Sequence, residues 1–237
     1  MCLIAIAHRV SARFPLILAA NRDEDHARAT HAADFWPDAP HVLGGRDALL
    51  GGSWLAVTRD RFAAVTNLRG ARTKSRSRGA LVREFVAGDA EPRTYGERIA
   101  RDAAEYAGFH LLAGCIGGDV LYATPERQTL LAPDLYGISN APEGEHWPKT
   151  QLAVDALRAA MMRDDAEAIA DELLEFLAAP RQSGRIESEV FIAGERYGTR
   201  ASTAIVASEE RVLFVEQNYA PGGAPMGERR RFSIARS

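Results

Sequence analysis

Two short apolar runs open the chain, residues 2–8 (Cys2-Leu3-Ile4-Ala5-Ile6-Ala7-His8) and residues 15–20. Each has the length and composition of a buried strand, and the two pair naturally as a hairpin. That pairing commits the N-terminal part of the chain to antiparallel sheet. It also brings Asn21, Arg22 and Asp23, on leaving the second strand, back beside the N-terminus, where Asp23 could hold an ammonium and Arg22 an anionic substrate group.

Cys2 gives this hairpin a chemical reading. Removal of the initiator methionine, which so small a second side chain permits, would leave a thiol and a free α-amine on one residue. The amine titrates at about 7.7 to 8.0 and a free thiol at about 8.5, so near neutral pH the amine can take the thiol proton. Such a nucleophile carries its own base and needs no histidine. The plainer reading of the same residues is a small buried hydrophobe followed by an ordinary strand-end turn.

Composition narrows the class. A chain of 237 residues with 46% apolar and 26% charged content is ordinary for a soluble globular protein and is read as one domain, residues 1–237. Twenty-nine basic against thirty-two acidic side chains leave a net charge of −3, which argues against nucleic acid as a partner. Cys2 and Cys115 are too few for a disulfide framework or a zinc site, which points to a reducing compartment. With neither a leader nor an eighteen-residue apolar run, a cytoplasmic protein without stable membrane insertion is expected. Lys74 and Lys149 are the only lysines in an arginine-rich chain, a bias attributed to coding.

Further along, Phe35-Trp36-Pro37-Asp38-Ala39-Pro40 reads as a loop, and Gly44-Gly45 and Gly51-Gly52 bracket a short link. Residues 53–58 and 61–67 alternate around a turn at Arg59-Asp60, a second hairpin ending at Asn67. Arg69, Arg72, Lys74, Arg76, Arg78 and Arg83 follow without an intervening acid, either as a solvated face or as an anion-attracting loop at a helix start near Gly79. Residues 95–106 have helical spacing, whereas 109–117, 120–124 and 129–132 are strand-like. Trp147-Pro148-Lys149 opens a helix with proline in its first turn, and Asp164 caps another. Tyr197-Gly198-Thr199-Arg200 is placed on a turn, before strands at 203–207 and 212–217 and an edge strand at 231–234.

Taken in order, Met1-Cys2, Asn21-Arg22-Asp23-Glu24, Gly52-Ser53-Trp54-Leu55, Thr66-Asn67-Leu68-Arg69, Ser77-Arg78-Gly79, Gly137-Ile138-Ser139-Asn140, Trp147-Pro148-Lys149 and Tyr197-Gly198-Thr199-Arg200 resemble the NRDE family, also called the transport and Golgi organization 2 (TANGO2) family. That family is in turn similar to the N-terminal nucleophile (Ntn) hydrolases, nearest in motif order to the choloylglycine hydrolase and penicillin V acylase group. The resemblance implies an α+β chain folded as an αββα sandwich, two antiparallel sheets stacked between helical layers. Carried over by position, Cys2 matches the nucleophile, Asn67 the oxyanion asparagine, Asn140 a second polar asparagine and Arg200 the arginine that orients the nucleophile. Asp23 is the counterpart of the acid near the α-amine, although Arg22 and Asp25 also satisfy an Arg-x-x-Asp spacing. Asn21, Arg22, Trp54 and Arg69 are assigned to substrate binding. The Cys2 thiol, beside an ammonium and Arg22 or Arg200, is expected to be acidified relative to Cys115.

The chain departs from the family pattern at Asp25, where an aromatic is usual, and at Ala56, His110 and Ala201, which stand for glycine, asparagine and serine. His8, His26, His31, His41, His110 and His146 show no ligand-like helical spacing, His26 and His31 are read as loop residues, and no metal or cofactor is expected. Two functions remain open. One is an amidohydrolase or acyltransferase acting on a non-peptide amide through a Cys2 thioester; the other is a non-catalytic carrier for haem or an acyl-lipid ligand in the same cleft. The partner is a small amide, acyl or haem-like molecule in either case, and monomer and homo-oligomer are both open.

Overall fold

The computed structural model describes residues 2–68, 74–180, 185 and 187–236. The chain divides into two compact units, Met1–Ala27 with Pro133–Ser237, and Arg28–Ala132. Among the described residues each unit holds one antiparallel sheet and two α-helices, an α+β architecture. None of these helices is long and apolar enough to cross a membrane.

In the first unit the chain starts with β1 (Leu3–His8) and β2 (Leu16–Asp25), paired as expected with Leu3 opposite Asn21 and His8 opposite Leu16. β2 runs further than the apolar pattern indicated, and Asn21-Arg22-Asp23-Glu24 lies inside it rather than on a turn.

The second unit follows with β3 (Thr30–Trp36), β4 (Ala39–Asp47), β5 (Leu55–Val57) and β6 (Arg61–Asn67), then α1 (Arg78–Ala87) and α2 (Pro92–Asp102), and finally β7 (Phe109–Cys115), β8 (Val120–Ala123) and β9 (Gln128–Leu130). Its seven strands are ordered β3-β4-β5-β6-β7-β8-β9. The stretch around Trp36 is not the expected loop but a hairpin, β3–β4, and His31 lies on a strand. Buried Trp36 donates its indole N–H to Gly44 O at 2.9 Å, an anchor that a strand-period scan does not register. Phe85, Tyr95, Ile99, Phe109 and Leu111 pack with Trp36 in this unit's core. Ser77 caps α1 by accepting from Gly79 N at 3.2 Å. Within the basic run, Arg76 pairs with Glu84 at 2.7 Å and Arg83 with Asp38 at 2.8 Å, so these two charges are neutralised internally; Arg69 and Arg72 lie outside the described residues.

The chain then returns to the first unit with β10 (Asp134–Ser139), α3 (Pro148–Ala160), α4 (Ala166–Ala178), β11 (Tyr197–Ala207), β12 (Arg211–Tyr219) and β13 (Pro225–Ala235). The sheet order is β10-β1-β2-β11-β12-β13. Leu3, Ala5 and Ala7 of β1 and Ile17 and Ala19 of β2 share a face that packs on Leu157 of α3 and on Ile169, Leu173 and Leu177 of α4. Asp165, one residue later than expected, caps α4 by accepting from Ala168 N at 3.0 Å.

Three corrections in this unit have one cause. Tyr197-Gly198-Thr199-Arg200 is strand, not turn, because Tyr197, Gly198 and Thr199 pair with Asp25, Glu24 and Asp23. The same pairing extends β2. β10 was not anticipated at all; its Gly137 sits opposite Ala5 and lets α3 approach so closely that a Cβ there would lie 2.6 Å from Thr150 O. Glycine and polar residues look like turns locally, and only partners far away in sequence turn them into strands.

Candidate active site around Cys2

Two strand ladders converge on Cys2. β1 pairs with β2 through Leu3–Asn21 and with β10 through Leu3–Ser139. Both registers, carried one residue back, set Cys2 between Arg22 and Asn140. Arg22 and Asn140 are both buried.

Of the two candidate acids, Asp23 is the buried one. Its side chain is only 5% exposed, and Oδ1 accepts from Thr199 Oγ1 at 2.7 Å. Tyr197 OH donates to Asp23 O at 3.1 Å. Asp25, the alternative, serves a turn instead: it accepts from Ala27 N at 2.9 Å and from Arg196 Nε at 3.3 Å, and these donors, Ala27 first, hold its carboxyl below the usual range.

The other expected site residues of this unit are used in different ways. Asn21 donates from Nδ2 to Leu177 O at 2.9 Å and to Val190 O at 2.8 Å, and its Oδ1 accepts from Ser202 Oγ at 2.6 Å. That amide ties the end of α4 to the sheet. Arg22 lies 3.7 Å from Glu24 in an ion pair, while its charge still favours a Cys2 thiolate. Arg200 occupies the β-bulge between Thr199 and Ala201 and donates to Asp25 O at 3.2 Å and His26 O at 3.3 Å.

The expected acidification belongs to a chain without Met1; in the chain that retains Met1 the thiol shifts the other way. Cys2 keeps some exposed surface, but desolvation dominates and pushes its thiol up, with the Asp23 charge adding to the effect and Arg22 opposing it. Cys115 is also pushed up by burial, against Arg61.

One residue of this cluster was not singled out as functional by the sequence. Lys149, in the first turn of α3, is buried, and its Nζ stands 5.4 Å from the Trp147 ring centroid. Burial pulls its amine down, while Asp23, then Cys2, Glu187 and Glu189 pull it back up. Its place in the Trp147-Pro148-Lys149 motif and its rarity in an arginine-rich chain are the signals that could have marked it.

In the second unit, Asn67 ends β6 opposite Phe109 and is exposed. Trp54 is half-buried with its ring against Gly45, where a Cβ would come within 2.1 Å of it. Arg69 lies outside the described residues. His110 is buried, its Nδ1 2.7 Å from Tyr122 OH, and no three potential metal ligands cluster among the described residues.

Geometry defines the class first: an α+β protein of two helix-backed antiparallel sheets, one of which carries an N-terminal cysteine among buried polar side chains. Within that class the chain belongs to the Transport and Golgi organisation 2 family, whose model matches residues 1–221. It is 34% identical over 241 residues to the transport and Golgi organization protein 2 homolog of Bos taurus, covering 86% of this chain and 87% of that protein. The Homo sapiens homolog is 30% identical over 239 residues, with the same coverage. The Drosophila melanogaster transport and Golgi organization protein 2 is 30% identical over 258 residues, covering 91% of this chain and 89% of the relative.

Proposed function

We propose that this chain is an N-terminal-cysteine amidohydrolase or acyltransferase that acts on a non-peptide amide through a Cys2 thioester. The observation that carries the reading is the position of Cys2, which leads directly into β1 where Leu3 pairs with Asn21 and Ser139, the neighbours of buried Arg22, Asp23 and Asn140. A plain apolar pocket has no physical need for such a polar set. Once Met1 is removed, the Cys2 amine accepts the thiol proton and the thiolate attacks the amide carbonyl. The C–N bond breaks as the α-ammonium returns that proton to the leaving nitrogen, and water or an acceptor amine then resolves the thioester. Asn140 donates to the oxyanion, a bond worth about 3 kcal/mol in such a site. One αββα domain over residues 1–237 is part of this reading; two sheets with helices are the parts it requires.

One observation favours the carrier of a haem or acyl-lipid ligand. With Met1 in place, burial holds Cys2 as a neutral thiol, on a strand whose Ile4 and Ile6 are apolar and buried. The test is intact mass after expression with active methionine aminopeptidase, followed by incubation with N-acyl amides and acyl thioesters. Loss of one methionine and an acyl adduct that Cys2→Ala abolishes are expected. Retained Met1, no adduct, and haem or acyl binding that Cys2→Ala destroys would replace the enzyme with the carrier.

A further inference from the structure

A cavity of about 500 Å³ opens at the end of the first unit's sheet remote from Cys2, lined by the β1–β2 loop, the start of α4 and the β11–β12 turn. The six residues of β1 separate that loop from Cys2, which sets cavity and sulfur about 20 Å apart along the strand. The volume is that of an ordinary small-molecule site. Its floor is apolar: Phe14, Ala166 and Val206 line it and are each at most 8% exposed.

Both loops at its mouth are held in place. Across the first, Arg9 N bonds to Pro15 O at 3.0 Å and Phe14 N to Ser11 Oγ at 3.1 Å. Across the second, Ser208 Oγ accepts from Glu210 N and Arg211 N at 3.2 Å each, and Arg236 N bonds to Glu210 O at 2.9 Å. Side chains on such loops start from fixed positions, which favours binding.

The rim carries both signs of charge. Arg13 stands on the β1–β2 loop and Glu209, Glu210 and Arg211 on the β11–β12 turn; all are exposed, and none of them enters an ion pair among the described residues. Other arginines of this unit do, Arg163 with Glu172 at 2.7 Å, Arg229 with Asp171 at 2.8 Å and Arg158 with Asp155 at 2.9 Å. Asp165, also on the rim, is already used as the cap of α4. Arg13 keeps its guanidinium at the edge of the floor, 5.3 Å from the Phe14 ring centroid. On the other turn Arg211 offsets one of two acids, so that turn is net negative and the β1–β2 loop, with Arg9 and Arg13, net positive.

An apolar floor between turns of opposite charge fits an apolar zwitterion; a simple anion or cation would be attracted by one turn and repelled by the other. Spacing narrows its size. The strand order β1-β2-β11-β12 makes the two turns neighbours, with centres about 10 Å apart. The termini of an extended dipeptide lie about 7 Å apart, a span that side chains reaching in from each turn can close.

We propose that this cavity binds a zwitterion of dipeptide size with apolar side chains: its carboxylate on Arg13, its ammonium on Glu209 and Glu210, and its side chains on Phe14, Ala166 and Val206. The site is separate from Cys2, and its occupancy needs no turnover.

The experiment titrates leucyl-leucine into the full chain by isothermal calorimetry, beside N-acetyl-leucyl-leucine, which lacks the ammonium, and leucyl-leucine amide, which lacks the carboxylate. Saturable binding of leucyl-leucine is expected, weakened at least about tenfold by either modification, by Arg13→Gln, and by Glu209→Gln combined with Glu210→Gln. These side chains are exposed, so the variants keep the fold. Cys2→Ala should bind as wild type does, which separates this site from that of the proposed function; lost binding in Cys2→Ala would put the dipeptide in the other cleft and overturn the proposal. No saturable heat up to about 10 mM leucyl-leucine would overturn it as well. Equal affinity for the three ligands, or for wild type and the rim variants, would do the same.

Discussion

Thr199 donates its hydroxyl to Asp23 at 2.7 Å, and the same oxygen accepts from Ile192 N at 2.9 Å, so one buried side chain fixes both the acid beside Cys2 and the segment that leads into β11. Thr199→Val keeps the shape and removes both bonds. A buried carboxylate oxygen and a backbone N–H would each lose a partner, so a loss of about 2 to 4 kcal/mol is expected. Urea unfolding measures it, and Thr199→Ser should restore most of the loss. A valine variant as stable as wild type would show that Asp23 does not depend on this contact.

Asn21 separates a structural from a substrate-binding role. Its side chain holds Leu177 O, Val190 O and Ser202 Oγ, all inside one unit. Asn21→Leu should therefore lower stability by about 3 kcal/mol, since it takes a donor from two backbone carbonyls and an acceptor from Ser202. If Asn21 instead served substrate, the variant would unfold at the wild-type urea concentration and lose ligand affinity alone.

Much of the fold was legible where periodicity is local. Residues 2–8 with 15–20, residues 61–67 and the helices around Phe85 and Leu157 all carry their own pattern. β10, the β3–β4 hairpin and the polar half of β2 do not, because Gly137, Gly44 and Asp23 become strand residues only through partners contributed from elsewhere. The site divides in the same way. Cys2, Asp23, Asn140 and Lys149 all fall in the motifs taken in order along the chain, but the burial of Lys149 is created by docking of α3 on β10, and no local pattern encodes that.

Gly137 is where that docking can be probed without touching a polar group. A Cβ at this position would lie 2.6 Å from Thr150 O and 2.9 Å from Thr150 Cβ, closer than real contacts allow. Because the obstacle is helix backbone, Gly137→Ala must push the first turn of α3 away from β10. A loss of about 1 to 3 kcal/mol is expected. Amide exchange should quicken around residues 148–152 and stay unchanged in α1; uniform exchange would show that the gap closes without helix movement.

The buried amine also predicts how stability depends on pH. Burial depresses the Lys149 amine below 10.5 in the folded chain, so over the interval between its folded value and 10.5 the unfolded chain binds more protons. Stability contributed by this group must then rise with pH through that interval, with a slope of at most about 1.4 kcal/mol per pH unit. Cys2 has the opposite sign: its folded value lies above 9.0, so its contribution is complete below 9.0 and is lost as pH rises through the folded value. Readings kept below pH 9 isolate the lysine. Lys149→Met removes the titrating group and the buried charge together while filling the same space, so its advantage over wild type should be largest at low pH and shrink as pH rises toward 9. Urea midpoints at pH 6, 7.5 and 9 decide the matter, and curves for the two proteins that run parallel would mean that Lys149 does not change charge in the folded chain over this range.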